Sequence, residues 1–458
     1  MVAGHLHEKN GYYYIILNLT DMAGKRKPKW IATGLPVKGN KKRAEQLLIE
    51  ARRQYDPICK PQEILFADYM EQWLEVAKST VSVVTYSSYS NQVKSIIAPY
   101  FRKKKITLEA LCAKDIQDFY AAPEAVAYIA VQKFVMGSPL YRQEQEWNRQ
   151  GLMLSRQTMS NWLIYCSDNW GLPVYLALKA EEMKHDLLHA DETELQVLHE
   201  TNRTAQQKSY MWLYRTSGDA EHPIVLYDYA PGRGQEYPNA FLEGFHGYLQ
   251  TDGYSGYHGL KGVTHVGCWA RARRKFDEAC RAMPKGKRSP TAEQGVAYCT
   301  QLFELEKEFR DLTPEERKKQ RLERGKPILD AMLAWANTRN AAPKSALGKA
   351  LTYLKNQWPY LNSYLLDGRI ELSNNRAERS IKPFVISRKN FLFANTARGA
   401  KSSAVIFSLI ETAKENGLDP YRYLTWVFTE APRLSQSDPG WASKLLPWNA
   451  PETCQPAK

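Results

Sequence analysis

Glu378 is a single carboxylate set among amides and cations in the stretch LSNNRAERSIKPFVISR, Leu372 to Arg388. Asn374 and Asn375 precede it by about a helical turn, Arg376 and Arg379 flank it, and Lys382 follows one turn on. Residues three and four apart share a helix face, so Asn374, Asn375, Glu378 and Lys382 are predicted to line one side. Such an acid belongs either to a surface helix laced with ion pairs or to a metal site at the edge of a polyanion-binding surface. Two upstream acids bear on the choice. Asp191 lies in LLHADETEL, flanked by Leu187, Leu188, Leu195 and Val197 in the manner of a buried strand. Asp252 lies in GYLQTDGYSGY, after an apolar run and before a Gly, where a strand gives way to a turn. Two acids at strand ends and one on a later helix can hold two divalent ions. Hard oxygen ligands select Mg²⁺ or Mn²⁺, and an ion pair can activate an attacking oxygen and stabilise a leaving one. Acids near strand ends are common, and spacing alone leaves both readings open.

The cations point to a partner. Arg271, Arg273, Arg274 and Lys275 crowd the start of a predicted helix in VGCWARARRKF, and such crowding favours a nearby phosphate over a solvated face. Across 458 residues, Lys and Arg number 63 against 49 Asp and Glu, a formal charge of +14. That is the footprint of a nucleic-acid partner, although ribosome-side and anionic-membrane proteins share it. No run of 18 apolar residues and no signal-peptide core is present, which leads us to expect a cytoplasmic, nucleoid-associated protein without a membrane partner. The cysteines (Cys59, Cys112, Cys166, Cys268, Cys280, Cys299, Cys454) are scattered, indicating neither zinc nor a disulfide framework.

The elements that must position these groups fall into successive blocks. Residues 1–60 read as a small sheet followed by an amphipathic helix carrying Ala44, Leu47, Leu48 and Ala51 on one face. Residues 64–121 read as several helices, with Phe66, Tyr69, Trp73 and Ala77 at helical spacing and a basic hinge at Arg102 to Lys105. Residues 125–180 form a helical lead-in. Ser155 is a predicted N-cap there, and Ser155, Arg156, Gln157 and Ser160 suit either the reading helix of a helix-turn-helix or an ordinary helical hairpin. Residues 185–430 are the expected α/β core, with SYMWLYRTS and PIVLYDYA as neighbouring antiparallel strands and a short helix at Asn239 to Phe245. An all-helical insertion is expected over 288–368. It contains a capping box at Thr313-Pro314-Glu315-Glu316 and a KKQRLERGK run read as a solvated face. The tail, 431–458, is expected to be an irregular surface segment.

From Ala125 to Trp448 the chain resembles the transposases of insertion sequence 66, in the words SPLYRQEQEW, LSRQTMSNW, LLHADET, LQTDGYSGY, VGCWARARRKF, NNRAERSIKPFVISRKNFLF and SAVIFSLIETAKENGLDPYRYLTWV. The resemblance implies a DDE enzyme with a ribonuclease H-like core, in which Asp191, Asp252 and Glu378 are the catalytic, metal-binding triad for Mg²⁺ or Mn²⁺. It implies double-stranded DNA as partner, both element ends and target, bound by a homo-oligomer. The implied DNA contacts are Arg271, Arg273, Arg274, Lys275, Asn375, Arg376, Arg379, Lys382, Arg388, Lys389 and Arg398. Two departures stand out: Arg271 sits where the family usually shows a histidine, and the usual cysteine-bearing N-terminal segment is missing. Residues 1–60 are instead similar to the arm-binding domain of tyrosine integrases, and 64–121 to their SAM-like core-binding domain. No histidine has an arginine three residues later, which sets aside a tyrosine recombinase. The expected function is DNA transposition, with a catalytically impaired, DNA-binding regulator as the alternative.

Overall fold

The computed structural model describes residues 3–20, 26–54, 64–112, 115, 122–285 and 287–456. The chain divides into two compact units, residues 1–119 and 120–458.

The first unit opens with an antiparallel sheet of β1 (Ala3–Lys9), β2 (Tyr12–Thr20) and β3 (Arg26–Pro36). Asn10 and Gly11 both have positive φ, the geometry a two-residue hairpin turn needs to match strand twist. Alternation along β2 sends Ile15 and Leu17 to one face, where Ala51, Leu47 and Leu48 of the Lys41–Gln54 helix cover them. Trp30 pairs with Ile16 on the opposite face, 48% exposed, with the His7 ring 5.1 Å away. Helices Phe66–Ala77, Val83–Gln92 and Ala98–Lys104 follow, pinned by an edge-on Phe66–Phe101 contact at 4.7 Å. The run expected as a basic hinge is the last turn of the third helix. Arg102 is tied there to Asp68 (2.8 Å) and Glu71 (3.0 Å), and Lys105 closes the helix in the left-handed conformation.

The second unit is mixed α/β. Its sheet runs β6 (Val225–Ala230), β5 (Lys208–Thr216), β4 (Leu187–His199), β7 (Gly247–Gln250), β8 (Val263–Val266), and β9 (Ala394–Thr396) pairs with the far end of β4. β5 and β6 are the antiparallel neighbours that their aromatic, β-branched sequences predict. β7 and β8 run parallel to β4. One core joins β4–β6 to the lead-in helices and to helices Ala397–Glu415 and Pro420–Leu434. A second joins Leu187 and Val266 to Trp269–Arg281 and the inserted helices. The insertion is helical as expected (Pro290–Glu308, Pro314–Gln320, Lys326–Asn337, Ala346–Asn362), and the Thr313–Glu316 capping box is formed. The helix expected from Asn239 begins at Glu236, because Pro238 is tolerated in a first turn, where no carbonyl of the same helix awaits its missing N–H.

Two expectations need correction. The KKQRLERGK run is not simply a solvated face: a π-turn at Arg321–Gly325 swings Arg321 inward to 1% exposure. The tail is no loose surface segment either. Leu445, Leu446 and Cys454 are buried, Trp448 stacks on His222 at 4.7 Å, and the Asp419 amide donates to the Cys454 carbonyl (2.8 Å). Among the described residues no helix is long and apolar enough to cross a membrane.

Candidate active site

β4 and β7 set the first two acids side by side. Their parallel register matches Leu187 with Tyr248, Leu188 with Leu249 and His189 with Gln250. The same offset carried two residues on brings Asp191 level with Asp252, and adjacent strands lie about 4.8 Å apart. Asp252 leaves the sheet in a turn: its carboxylate accepts from the Tyr254 amide (3.0 Å), and Gly253 takes φ +91°. The Ala346–Asn362 helix presses on this turn. The Tyr353 hydroxyl donates to the Asp252 carbonyl (3.0 Å), and a Cβ on Gly253 would meet the Gln357 amide at 2.7 Å.

Glu378 is delivered by Asn374. Expected beside Glu378 on one helix face, Asn374 instead is fully buried and turned onto β4. Its amide donates to the Ala190 carbonyl (2.8 Å), leaving its carbonyl oxygen to accept from His189 Nδ1 (3.1 Å). That assignment fixes the imidazole as the Nδ1–H tautomer. Burial holds the imidazole neutral by lowering its pKa to about 4, and its Nε2 finds no partner. The Asn374 backbone N–H donates to the Cys268 sulfur (3.3 Å) at the start of Trp269–Arg281. One asparagine thus ties together the Asp191 strand, the Glu378 helix (Asn375–Phe391) and the arginine-rich helix.

The electrostatics of the three acids differ. Burial, and then the charges of Glu192, Asp252 and Glu378, push Asp191 up to about 8. The Glu192 amide donates to its carboxylate (2.9 Å). Asp252 pairs with Arg271 (2.6 Å), and Glu378 more loosely with Arg274 (3.4 Å). Glu192 is a fourth acid that sequence reasoning missed. It accepts from Arg233 Nε (2.9 Å) and the Tyr257 hydroxyl (2.7 Å), while burial raises its pKa. Its signal was the adjacent acid in ADET, although neighbouring strand residues ordinarily face apart. Among the described residues no three His, Cys, Asp or Glu side chains are gathered tightly enough to form a ready ligand set.

The cations separate into engaged and available groups. Arg376 is held by Glu371 (Nε to Oε1, 2.6 Å), Arg398 by Asp168 (2.7 Å), Lys275 by Glu278 (3.2 Å), and Arg388 donates to Thr193 (3.1 Å). Arg273, Arg379, Lys382 and Lys389 are exposed, and none of the ion pairs among the described residues includes them. Asn375 is partly buried beside them. The lead-in residues stand elsewhere, at the start of the Arg156–Cys166 helix. Ser155 caps Thr158 (3.1 Å), Arg156 meets Glu144 (3.8 Å), and Gln157 donates to Asn161 (2.9 Å). Gln157 and Ser160 line a cavity with Arg398.

Comparison with known proteins identifies the family. Residues 119–402 match the transposase IS66 family, residues 408–448 the IS66 C-terminal element, and residues 65–122 the N-terminal SAM-like domain of phage integrases. Three uncharacterized proteins of Sinorhizobium fredii are similar. The protein y4qI is 32% identical over 76% of this chain and 66% of its own length, and y4hP 30% identical over 72% and 62%. For y4jD the figures are 30% over 86% and 80%. The chain therefore spans slightly less than two thirds of the first two. No solved structure matches. The chain belongs to the IS66 transposase family, with an integrase-type SAM-like domain in front of its transposase region.

Proposed function

We propose that the chain is a DNA transposase: a metal-dependent phosphoryl-transfer enzyme that cuts a phosphodiester at an element end and joins the freed 3′-OH to target DNA. The observation that carries this is the parallel register of β4 and β7, which ends at His189 and Gln250, two residues before Asp191 and Asp252, while Asn374 anchors the Glu378 helix to β4 at Ala190. A sheet whose first strand is central, antiparallel to the second and parallel to the fourth, with acids on the first and after the fourth, supports the ribonuclease H-like reading.

The acids are of the type a divalent ion takes, although among the described residues no three stand as a ready ligand set. Asp191 is a half-buried carboxyl in the field of three other acids, and none of the ion pairs among the described residues includes it, the electrostatic deficit that Mg²⁺ or Mn²⁺ would offset. Asp191, Asp252 and Glu378 would hold it, and a bound ion would supply an activated water and charge stabilisation at the departing oxygen. The chain's own cations do the rest. Arg271 and Arg274 stand at the acids, and exposed Arg273, Arg379 and Lys382 extend a cationic border that holds the DNA backbone in place. The small sheet and the SAM-like domain in front would add DNA contacts of their own.

Glu378→Gln keeps the shape of the side chain and removes its charge. It should abolish Mg²⁺-dependent strand cleavage and joining, with DNA affinity equal or slightly higher; cleavage retained within about tenfold would sink the triad. A second reading, a DNA-binding regulator that does not cut, draws on the 2.6 Å pair between Arg271 and Asp252. A wild-type protein that binds DNA but cleaves nothing, even as Arg271→His, would leave only that reading.

A further inference from the structure

Between the Glu378 helix and β9 the chain makes a turn in which Phe391 packs against the core while Leu392 and Phe393 stay exposed. Leu392 has φ +64° and ψ −49°, and the Phe393 amide donates to the Phe391 carbonyl (2.8 Å). This is a γ-turn, a strained conformation for a leucine. Its yield is exposure: Leu392 is 64% and Phe393 41% exposed, with Arg388 and Lys389 just before them. The turn carries the chain from the helix into β9, and it does so with its leucine turned largely to solvent beside Arg388.

Behind the turn lies a cavity of about 480 Å³, lined by Phe391, Phe393 and Lys133 and by the start of the 19-residue Ala397–Glu415 helix, including Gly399 and Ser403. Cavities of roughly this size hold a nucleotide-sized ligand. The Lys133 ammonium sits over two rings, Phe134 at 4.7 Å and Phe391 at 5.6 Å. Its surroundings desolvate it enough to lower its pKa to about 8, with no acid contributing to offset this. A partly buried cation that none of the ion pairs among the described residues includes, apolar rings and a helix N-terminus form a chemically matched set: ring faces for a base, positive charge for a phosphate.

We propose that the Phe391–Phe393 turn and this cavity form a second DNA site, in which Leu392 wedges into the stack and one displaced nucleotide is held, its base against Phe391 and Phe393 and its phosphate at Lys133. The proposal rests on the DNA-binding reading above. Apolar wedges flanked by cations are how proteins unstack a base step, and the released base then needs a pocket. β9 pairs with β4 at Val197 and His199, six residues beyond Asp191, so the site lies on the order of 20 Å from the acids, about six base-pair steps along bound DNA.

The test uses the full chain in EDTA, so that it does not depend on cleavage. A fully paired duplex is compared with the same duplex carrying one bulged 2-aminopurine nucleotide. The bulged duplex should bind about tenfold more tightly, with a change in 2-aminopurine fluorescence as the base enters the cavity. Leu392→Gly relieves the positive φ and removes the wedge, and Lys133→Met removes the phosphate's cation. Each should cut the preference to within about twofold while the melting temperature holds or rises. Equal affinity for the two duplexes, or a preference untouched by both substitutions, overturns the proposal. So does displacement of the bulged duplex by free deoxynucleoside monophosphate at equal concentration, which would assign the cavity to a small molecule. Loss of cleavage in Glu378→Gln with the bulge preference intact separates this site from the triad.

Discussion

Arg321 is 1% exposed, and its guanidinium donors all have partners. Two donors grip Glu306 at 2.7 Å each, and others reach the carbonyls of Tyr364 (2.9 Å), Asp367 (2.9 Å) and Ile370 (2.8 Å). Arg271 and Arg274 use the same functional group differently. Their side chains are 37% and 49% exposed, and each meets a single carboxylate that is itself a candidate metal ligand. A guanidinium saturated by carbonyls staples the inserted helices to the segment before Glu378 and has no donor left for a ligand. One that touches a single acid at the surface keeps donors for a phosphate. Counting the partners of a cation thus tells scaffold from site better than local charge density does.

The comparison breaks first if Arg321 proves dispensable. Arg321→Met leaves Glu306 without its partner and takes a donor from each of three carbonyls, of which Asp367 keeps the Ile370 amide. It should cost about 3–5 kcal/mol in chemical denaturation. A loss under about 1 kcal/mol would mean that water replaces the fork and that saturation does not mark a structural role.

Lys133 sharpens the comparison from the opposite side, as a partly buried cation that none of the ion pairs among the described residues includes. Its pKa falls from the usual 10.5 to about 8, so between these values the unfolded chain binds more protons than the folded one. Stability should therefore rise with pH through that window, and the penalty should be fully present below pH 8. Lys133→Met should stabilise the protein by on the order of 2 kcal/mol at pH 7 and flatten that part of the pH profile. A destabilised Lys133→Met would show that a counter-charge is present after all.

Legibility followed the same division. The Asp191 strand, the turn at Asp252, the Thr313 capping box and the Ser155 cap are local patterns, and each was readable from a few neighbouring residues. The inward swing of Arg321 was not, because its partners lie 15 to 49 residues away and the run around it is rich in charge. Asn374 was read as a member of the Glu378 face. Its real partners, Ala190 and His189, are 184 and 185 residues distant, and nothing in NNRAER announces them. The Leu392 turn was likewise hidden, since leucine carries no turn signal and the positive φ comes from the need to pass from a helix into β9.

The smallest effect should come from Arg274. Its pair with Glu378 is 3.4 Å long and both side chains are substantially exposed, 49% and 34%. Water and salt screen such a contact, and ordering two long side chains offsets much of what remains. Arg274→Gln should therefore change unfolding free energy by less than about 0.5 kcal/mol, a tenth or so of the Arg321→Met effect. Its consequence belongs to binding. If the guanidinium leaves Glu378 to contact a phosphate, the slope of log affinity against log salt should shrink by about one for duplex DNA. An unchanged slope together with a stability loss above about 1 kcal/mol would move Arg274 to the scaffold side, beside Arg321.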